Sequence, residues 1–182
     1  MALNYVRSVG GVGRKLELVL LANSQTLEVG DVIESITAGK VTLAVTTVPV
    51  LGVVDSLCDK NGYPLATSNP VAGTASGVDV RSKATSTDGT YYALVDTSQD
   101  SIYSGSITAA LTASTTALRG AYFDADGTDF GMVSVASYSR DVSASAAGDS
   151  RHFYSWGQDP NDSSRLLVSI AYSELNTQIK TN

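Results

Sequence analysis

Three groups of residues in this 182-residue chain have types that could do chemistry. The first is Asp124-Ala125-Asp126-Gly127-Thr128-Asp129. Hard cations such as calcium take several oxygen ligands on a tight turn, and alternating aspartates around a glycine supply them. Asp124, Asp126 and Asp129 are therefore the candidate metal ligands. The long EF-hand loop and its terminal glutamate are missing, however, and Asp-Gly pairs also serve turns that need positive φ. A plain turn is the stronger reading, and no cofactor is expected. The second group centres on His152, the one histidine. As the base for a nucleophile it would need an orienting acid, such as Asp149 or Asp159. The chain has no GxSxG elbow, and Cys58 closes an apolar run instead of opening a helix. His152-Phe153-Tyr154-Ser155-Trp156 reads as an aromatic strand with the imidazole on its polar face. The third is Gly10-Gly11-Val12-Gly13, with Arg14 and Lys15 directly after it. It lacks the Walker lysine spacing, and no strand is expected before it. Carboxylates are numerous enough for a glycosidase-type pair, but nothing in their spacing makes two of them face each other. These observations point away from an enzyme.

Binding is the alternative use of such residues. Tyr91, Tyr92, Tyr103, Tyr122, Phe123, Tyr138, Phe153, Tyr154 and Trp156 could line a sugar-binding face. They serve equally as core and interface anchors, since Tyr and Trp suit places where one end stays wet. Charge divides the chain. The first fifteen residues hold Arg7, Arg14 and Lys15 and no acid, a charge of +3, which leaves −9 on the remainder against a total of −6. A glycine-rich basic arm on an acidic body can reach an acidic neighbour, including another copy of the same body. Arg7, Arg14, Lys15, Phe153, Tyr154 and Trp156 are the candidate partner-binding residues. The acidic total argues against a nucleic-acid binder, which carries a basic face.

The elements that must position these residues read as β-structure. Only 16% of residues are charged, while Ser and Thr number 42, which suits exposed β-faces better than helix surfaces. A single cysteine excludes an intrachain disulfide. Cys58, beside Leu57 at the end of an apolar run, reads as a buried, inert thiol. No run approaches the ~20 apolar residues of a membrane helix, and the N-terminus lacks the apolar core of a secretory signal. Assembly in a cytosol is expected.

Along the chain, 1–15 reads as an extended arm. Residues 16–58 form a small β-barrel part with strands at Lys15–Ala22, around Val41-Leu43-Val45 and at Val50–Leu57. Ala38-Gly39 makes the turn before the second, and Pro49 ends or edges it. The turn-rich segment 59–77 is a linker or loop. The rest, 78–182, is an antiparallel β part. Its Val78–Ala84 alternation is expected to form a hairpin with Thr90–Asp96 through Asp88-Gly89, with Tyr91, Ala93 and Val95 on one face. Further strands are expected at Ser101–Ile107, Ala121–Phe123, Gly131–Tyr138, His152–Trp156 and Leu166–Tyr172. Thr108–Arg119 fits helix, strand or loop, and Ser143–Asp149 is a small-residue loop. The expected fold is all-β, a small barrel or β-tulip followed by an antiparallel sandwich-like part.

Leu27-Glu28-Val29-Gly30-Asp31-Val32-Ile33, then Ala38-Gly39-Lys40-Val41, then Val50-Leu51-Gly52-Val53-Val54 resembles the small β-barrel segments of head decoration (cement) proteins of tailed bacteriophages. The resemblance covers Leu27 to Leu57, about a sixth of the chain. It implies a virion structural protein on the capsid surface, assembled in the host cytoplasm, that holds capsomer junctions together. The implied partners are the major capsid protein and further copies of itself, a trimer being favoured, with no nucleic acid or membrane contact. A phage tail-tube or other virion subunit shares the same physical character. A carbohydrate-binding or adhesive module is the reading from the aromatic cluster.

Overall fold

The computed structural model describes residues 3–22, 26–36, 39–44, 49–59, 61–64, 83–85, 91–107, 119–120, 122–125, 132–139 and 152–171. The expected hairpin turn at Asp88-Gly89, most of the ambiguous stretch 108–119 and the loop 143–149 lie outside these residues. The described residues are all-β apart from one short 3-10 turn, Val9–Gly11.

Five strands close a barrel: β2 (Leu16–Leu21), β4 (Val32–Ile36), β5 (Lys40–Leu43), β6 (Gly52–Cys58) and β8 (Tyr92–Asp96), in the order β2-β5-β4-β6-β8. The quoted motif residues explain its tight corners. Gly30 sits at φ 90°, a left-handed value that favours glycine. Its N–H donates to the Val54 carbonyl, and Asp31 caps the same corner by accepting the Glu28 N–H at 2.7 Å. Gly39, at φ 70°, turns β4 into β5. Gly52 is required for a different reason. A Cβ there would run into the Asp96 carbonyl oxygen and come within 2.7 Å of a Val95 methyl.

The second sheet runs β1 (Asn4–Ser8), β9 (Ser101–Ile107), β11 (Met132–Ser139), β10 (Tyr122–Ala125), β12 (Phe153–Asp159) and β13 (Asp162–Ile170). β13 also pairs with β9, so five strands form a closed circuit, with β1 outside it on the β9 edge. Pairing is antiparallel except between β9 and β11, as it is in the barrel except between β2 and β5. Two short strands, β3 (Thr26–Glu28) and β7 (Lys83–Thr85), make a separate ribbon.

The expected partnership of β7 with β8 is corrected by this arrangement. A strand has two edges, and all five β8 residues pair with β2 on one side and with β6 on the other. β7 pairs with β3 instead. The arm also differs from a free extended tail, because Asn4 to Ser8 pairs with Ser104 to Ser101 of β9. A strand therefore does precede the glycine-rich turn. Another strand, β2, and no helix follows it, so the phosphate-loop arrangement is still incomplete.

Two apolar clusters hold the molecule together. Leu21, Leu27, Ile33, Val41, Leu51, Val54, Leu57, Ala93 and Val95 fill the barrel, with Tyr91 packed against them. The second lies between barrel and sheet. It joins Leu3, Val32, Ala44, Val50 and Val53 to Tyr103, Phe153, Leu166, Val168 and Ile170. Strands that face both clusters bury consecutive residues, as with Val32 and Ile33 or Val53 and Val54. Ala44, next to Leu43, is buried for the same reason. Each fully buried aliphatic side chain contributes roughly 1.5–3 kcal/mol. Packing at Gly52 leaves no space for one more carbon, so Gly52→Ala is expected to lower unfolding free energy by about 1–3 kcal/mol. Urea denaturation followed by tryptophan fluorescence measures this, and an unchanged midpoint would contradict the close approach.

Candidate functional site

The densest polar constellation among the described residues lies where the arm enters the barrel. Arg14, just before β2, donates from Nε to Asp96 Oδ2 at 2.9 Å and pairs with Asp55 through its terminal nitrogen. Its guanidinium carbon lies 4.3 Å from the centroid of the Tyr5 ring, a cation–π distance. Asp96, the last residue of β8, has no solvent exposure. Its Oδ2 also accepts the Ser101 hydroxyl at 2.7 Å, and its Oδ1 accepts the Ser98 N–H at 3.1 Å. Asp55 reaches the cluster because β6 bulges between Val54 and Ser56. Burial works against the Arg14 charge, but Asp96 and Asp55 outweigh it and raise the pKa.

Around this cluster a cavity of about 180 Å³ is lined by Leu3, Asn4, Tyr5, Arg14, Val29, Val53, Val54, Asp55 and Tyr103. Tyr103 is buried, meets Tyr5 edge-on at 6.3 Å, and its hydroxyl finds no hydrogen-bond partner among the described residues. Burial, reinforced by the Asp96 charge, pushes that hydroxyl well above the usual phenol range. Nearby, the Lys15 ammonium pairs with Glu17 at 2.8 Å, and the Thr97 N–H donates to the Lys15 carbonyl. Lys15 holds the Glu17 carboxyl below its usual value against the opposing effect of burial.

A second polar group joins β9 to the β12–β13 turn. Arg165 Nε donates to Ser104 Oγ at 2.8 Å, and Ser104 Oγ donates to Asp159 Oδ2 at 2.5 Å. Asp159 Oδ1 in turn accepts the Asn161 N–H at 2.9 Å, which closes the turn. Both groups satisfy buried charge. Neither sets a nucleophile against an imidazole.

The residues put forward from the sequence are scattered. Arg7 is exposed on β1, Arg14 is locked between two carboxylates, and Lys15 is committed to Glu17. The aromatic trio is split by the two-residue period of β12. Phe153 is buried in the core between barrel and sheet. Tyr154 and Trp156 are half-buried, edge-to-face at 5.2 Å, with the indole N–H donating to Ser169 Oγ at 3.0 Å. His152, expected on a polar face, is instead fully buried just before β12, its ring edge-on to Phe153 at 6.2 Å. Cys58 is buried, and burial pushes its thiol pKa up. Asp124 lies on β10, while Asp126 and Asp129 lie outside the described residues. Among the described residues no group of three or more His, Cys, Asp or Glu could hold a metal ion, and no helix is long and apolar enough to cross a membrane. The central residues Asp55, Asp96 and Tyr5 were not singled out from the sequence. Asp55 carried one signal, as the only charge inside the apolar run from Val50 to Leu57.

No family model, curated protein or solved structure matches this chain.

Removing the guanidinium would leave Asp96 buried without its counter-charge. Arg14→Gln is therefore expected to cost about 3 kcal/mol, part of it recovered in the Arg14→Gln/Asp96→Asn double variant. Chemical denaturation of the set measures this, and a neutral single variant would contradict the role of the pair. Glu17 has a lowered pKa in the folded state. Its contribution is present above the unfolded value and lost as pH falls through the folded one. Glu17→Gln should thus melt slightly below the parent at neutral pH and together with it at a pH of about 2, well under the ordinary glutamate value. Thermal melts at both pH values check this.

Proposed function

We propose that this chain is a structural subunit of a virion: a decoration protein on the head of a tailed phage that stabilises capsomer junctions and performs no catalysis. The observation that carries the reading is the construction of the barrel. The stretch that resembles decoration proteins supplies β4, β5 and β6, three of its five strands. Each quoted glycine in that stretch has a structural task, at the Gly30 and Gly39 turns and at the Gly52 close approach. The surface chemistry agrees with a part that is held by neighbours. Leu16, Leu18 and Ile36 are exposed on the outside of the barrel, and Tyr5, Val6 and Val9 on the arm. Repetition over a lattice would turn modest contacts of this kind into strong attachment.

The partners in this reading are the major capsid protein and other copies of the chain, in a trimer on the capsid surface. The acidic body fits protein contacts better than nucleic acid. A tail-tube subunit would use the same features but polymerise by itself into rings. The carbohydrate-binding alternative rests on Tyr154 and Trp156, whose edge-to-face packing and bond to Ser169 turn them towards each other and the sheet.

The test is to add the purified chain to undecorated heads built from the capsid protein of the same genome. Expected outcomes are cosedimentation, density at capsomer junctions by electron microscopy, and a higher melting temperature of the heads. Among the described residues Arg7 is the cation of the arm that is exposed without an ion pair, and Arg7→Glu is expected to weaken attachment roughly tenfold, on the order of 1.4 kcal/mol. Saturating chain that leaves the heads bare would overturn the proposal.

A further inference from the structure

The arm strand β1 is held on the body in a manner that lets it leave without breaking either closed circuit of strands. Both closed circuits, the barrel and the ring β9-β11-β10-β12-β13, are complete without it. β1 occupies the outer edge of β9 at residues Ser101 to Ser104, while β11 continues along that edge at Ser106 and Ile107. Its remaining anchors are local. The Leu3 N–H donates to the Gly30 carbonyl at 3.0 Å, the Leu3 side chain is buried between barrel and sheet, and Tyr5 packs on Tyr103 and Arg14.

The connection from β1 to β2 is short and glycine-rich. Gly10 and Gly11 lie at φ 67° and 72°, and a Cβ on Gly10, Gly11 or Gly13 would touch nothing within 4 Å. The turn is held by two backbone bonds, Val9 N–H to the Asp100 carbonyl and Val12 N–H to the Val9 carbonyl. Glycine adopts extended values as readily as left-handed ones. Straightened, the five residues from Val9 to Gly13 span about 17 Å. Arg14, fixed by Asp55 and Asp96, stays behind as the base of the hinge.

We propose that β1 is exchanged between copies of this chain, the arm of one copy filling the β9 edge and the Leu3 socket of the next. The vacated seat fits one occupant by its own chemistry, since it is shaped to the sequence that fills it within a single chain. An exchanged arm remakes every contact of the closed form, including the Tyr5 ring over Arg14, which becomes a contact between copies. Exchange of an identical element is a low-cost route to oligomers because no new surface has to be invented. The inference concerns the purified chain alone and stands apart from the capsid reading, so either can fail without the other.

The test places the photo-crosslinker p-benzoylphenylalanine at Tyr5, an aromatic replacement at a partly exposed position. Unlabelled and 15N-labelled full-length chains are refolded together, irradiated, and digested for mass spectrometry. The expected result is covalently joined copies in which the residue 5 peptide is linked to the Tyr103 peptide and the two carry different labels. Links confined to peptides of the same label, or links between copies at another site, overturn the proposal. Gly10→Ala/Gly11→Ala disfavours the left-handed turn and should raise the mixed-label fraction roughly fivefold or more at equal chain concentration. An unchanged or lower fraction overturns the hinge.

Discussion

Asp96 carries its carboxylate into a place closed to bulk solvent, at the point where the barrel, the second sheet and the arm meet. An uncompensated charge there would cost several kcal/mol. The surroundings are arranged to prevent that. Arg14 supplies the counter-charge, Ser101 and Ser98 supply hydrogen bonds, and Asp55 shares the guanidinium. Those partners come from four places in the chain, so meeting the needs of one side chain fixes the entry of β2, the bulge in β6, the end of β8 and the start of β9 relative to each other.

The same junction shows how apolar and polar forces divide the work. The clusters inside the barrel and between the two layers supply most of the favourable free energy, without direction. They would tolerate small shifts of one sheet over the other. The Arg14 pair has strict distances and does not. Tyr103 stands at the boundary of the two regimes, its ring packed in the interlayer core and its hydroxyl beside the ionic group, without a hydrogen-bond partner among the described residues.

Much of the fold was legible because β-structure writes itself locally. The glycine turns, the alternation in β5 and β8 and the apolar run of β6 could be read from neighbouring residues. The all-β class and the small barrel followed from them. What was not legible depends on distant partners. Arg14 and Asp96 are 82 residues apart, and nothing in either neighbourhood announces the other. The hairpin assigned to β7 and β8 failed for a related reason: local pattern shows that a strand exists, but not which edges are already taken. The alternation of β12 is visible in the sequence, and it turns Phe153 away from Tyr154 and Trp156 although the three share an aromatic type.

The position of β8 has a consequence for how the chain reaches this structure. β4, β5 and β6 form neighbouring antiparallel pairs within a short span of sequence. β2 reaches β4 only through its parallel pairing with β5, and the gap between β2 and β6 closes only when β8 arrives. During synthesis from the N-terminus, the early strands therefore wait with open edges until residue 96 has emerged. The entropy of closing that long loop falls on a single late step. Folding of the barrel is timed by its last strand, and the window before closure is when its edges are most open to the wrong neighbour.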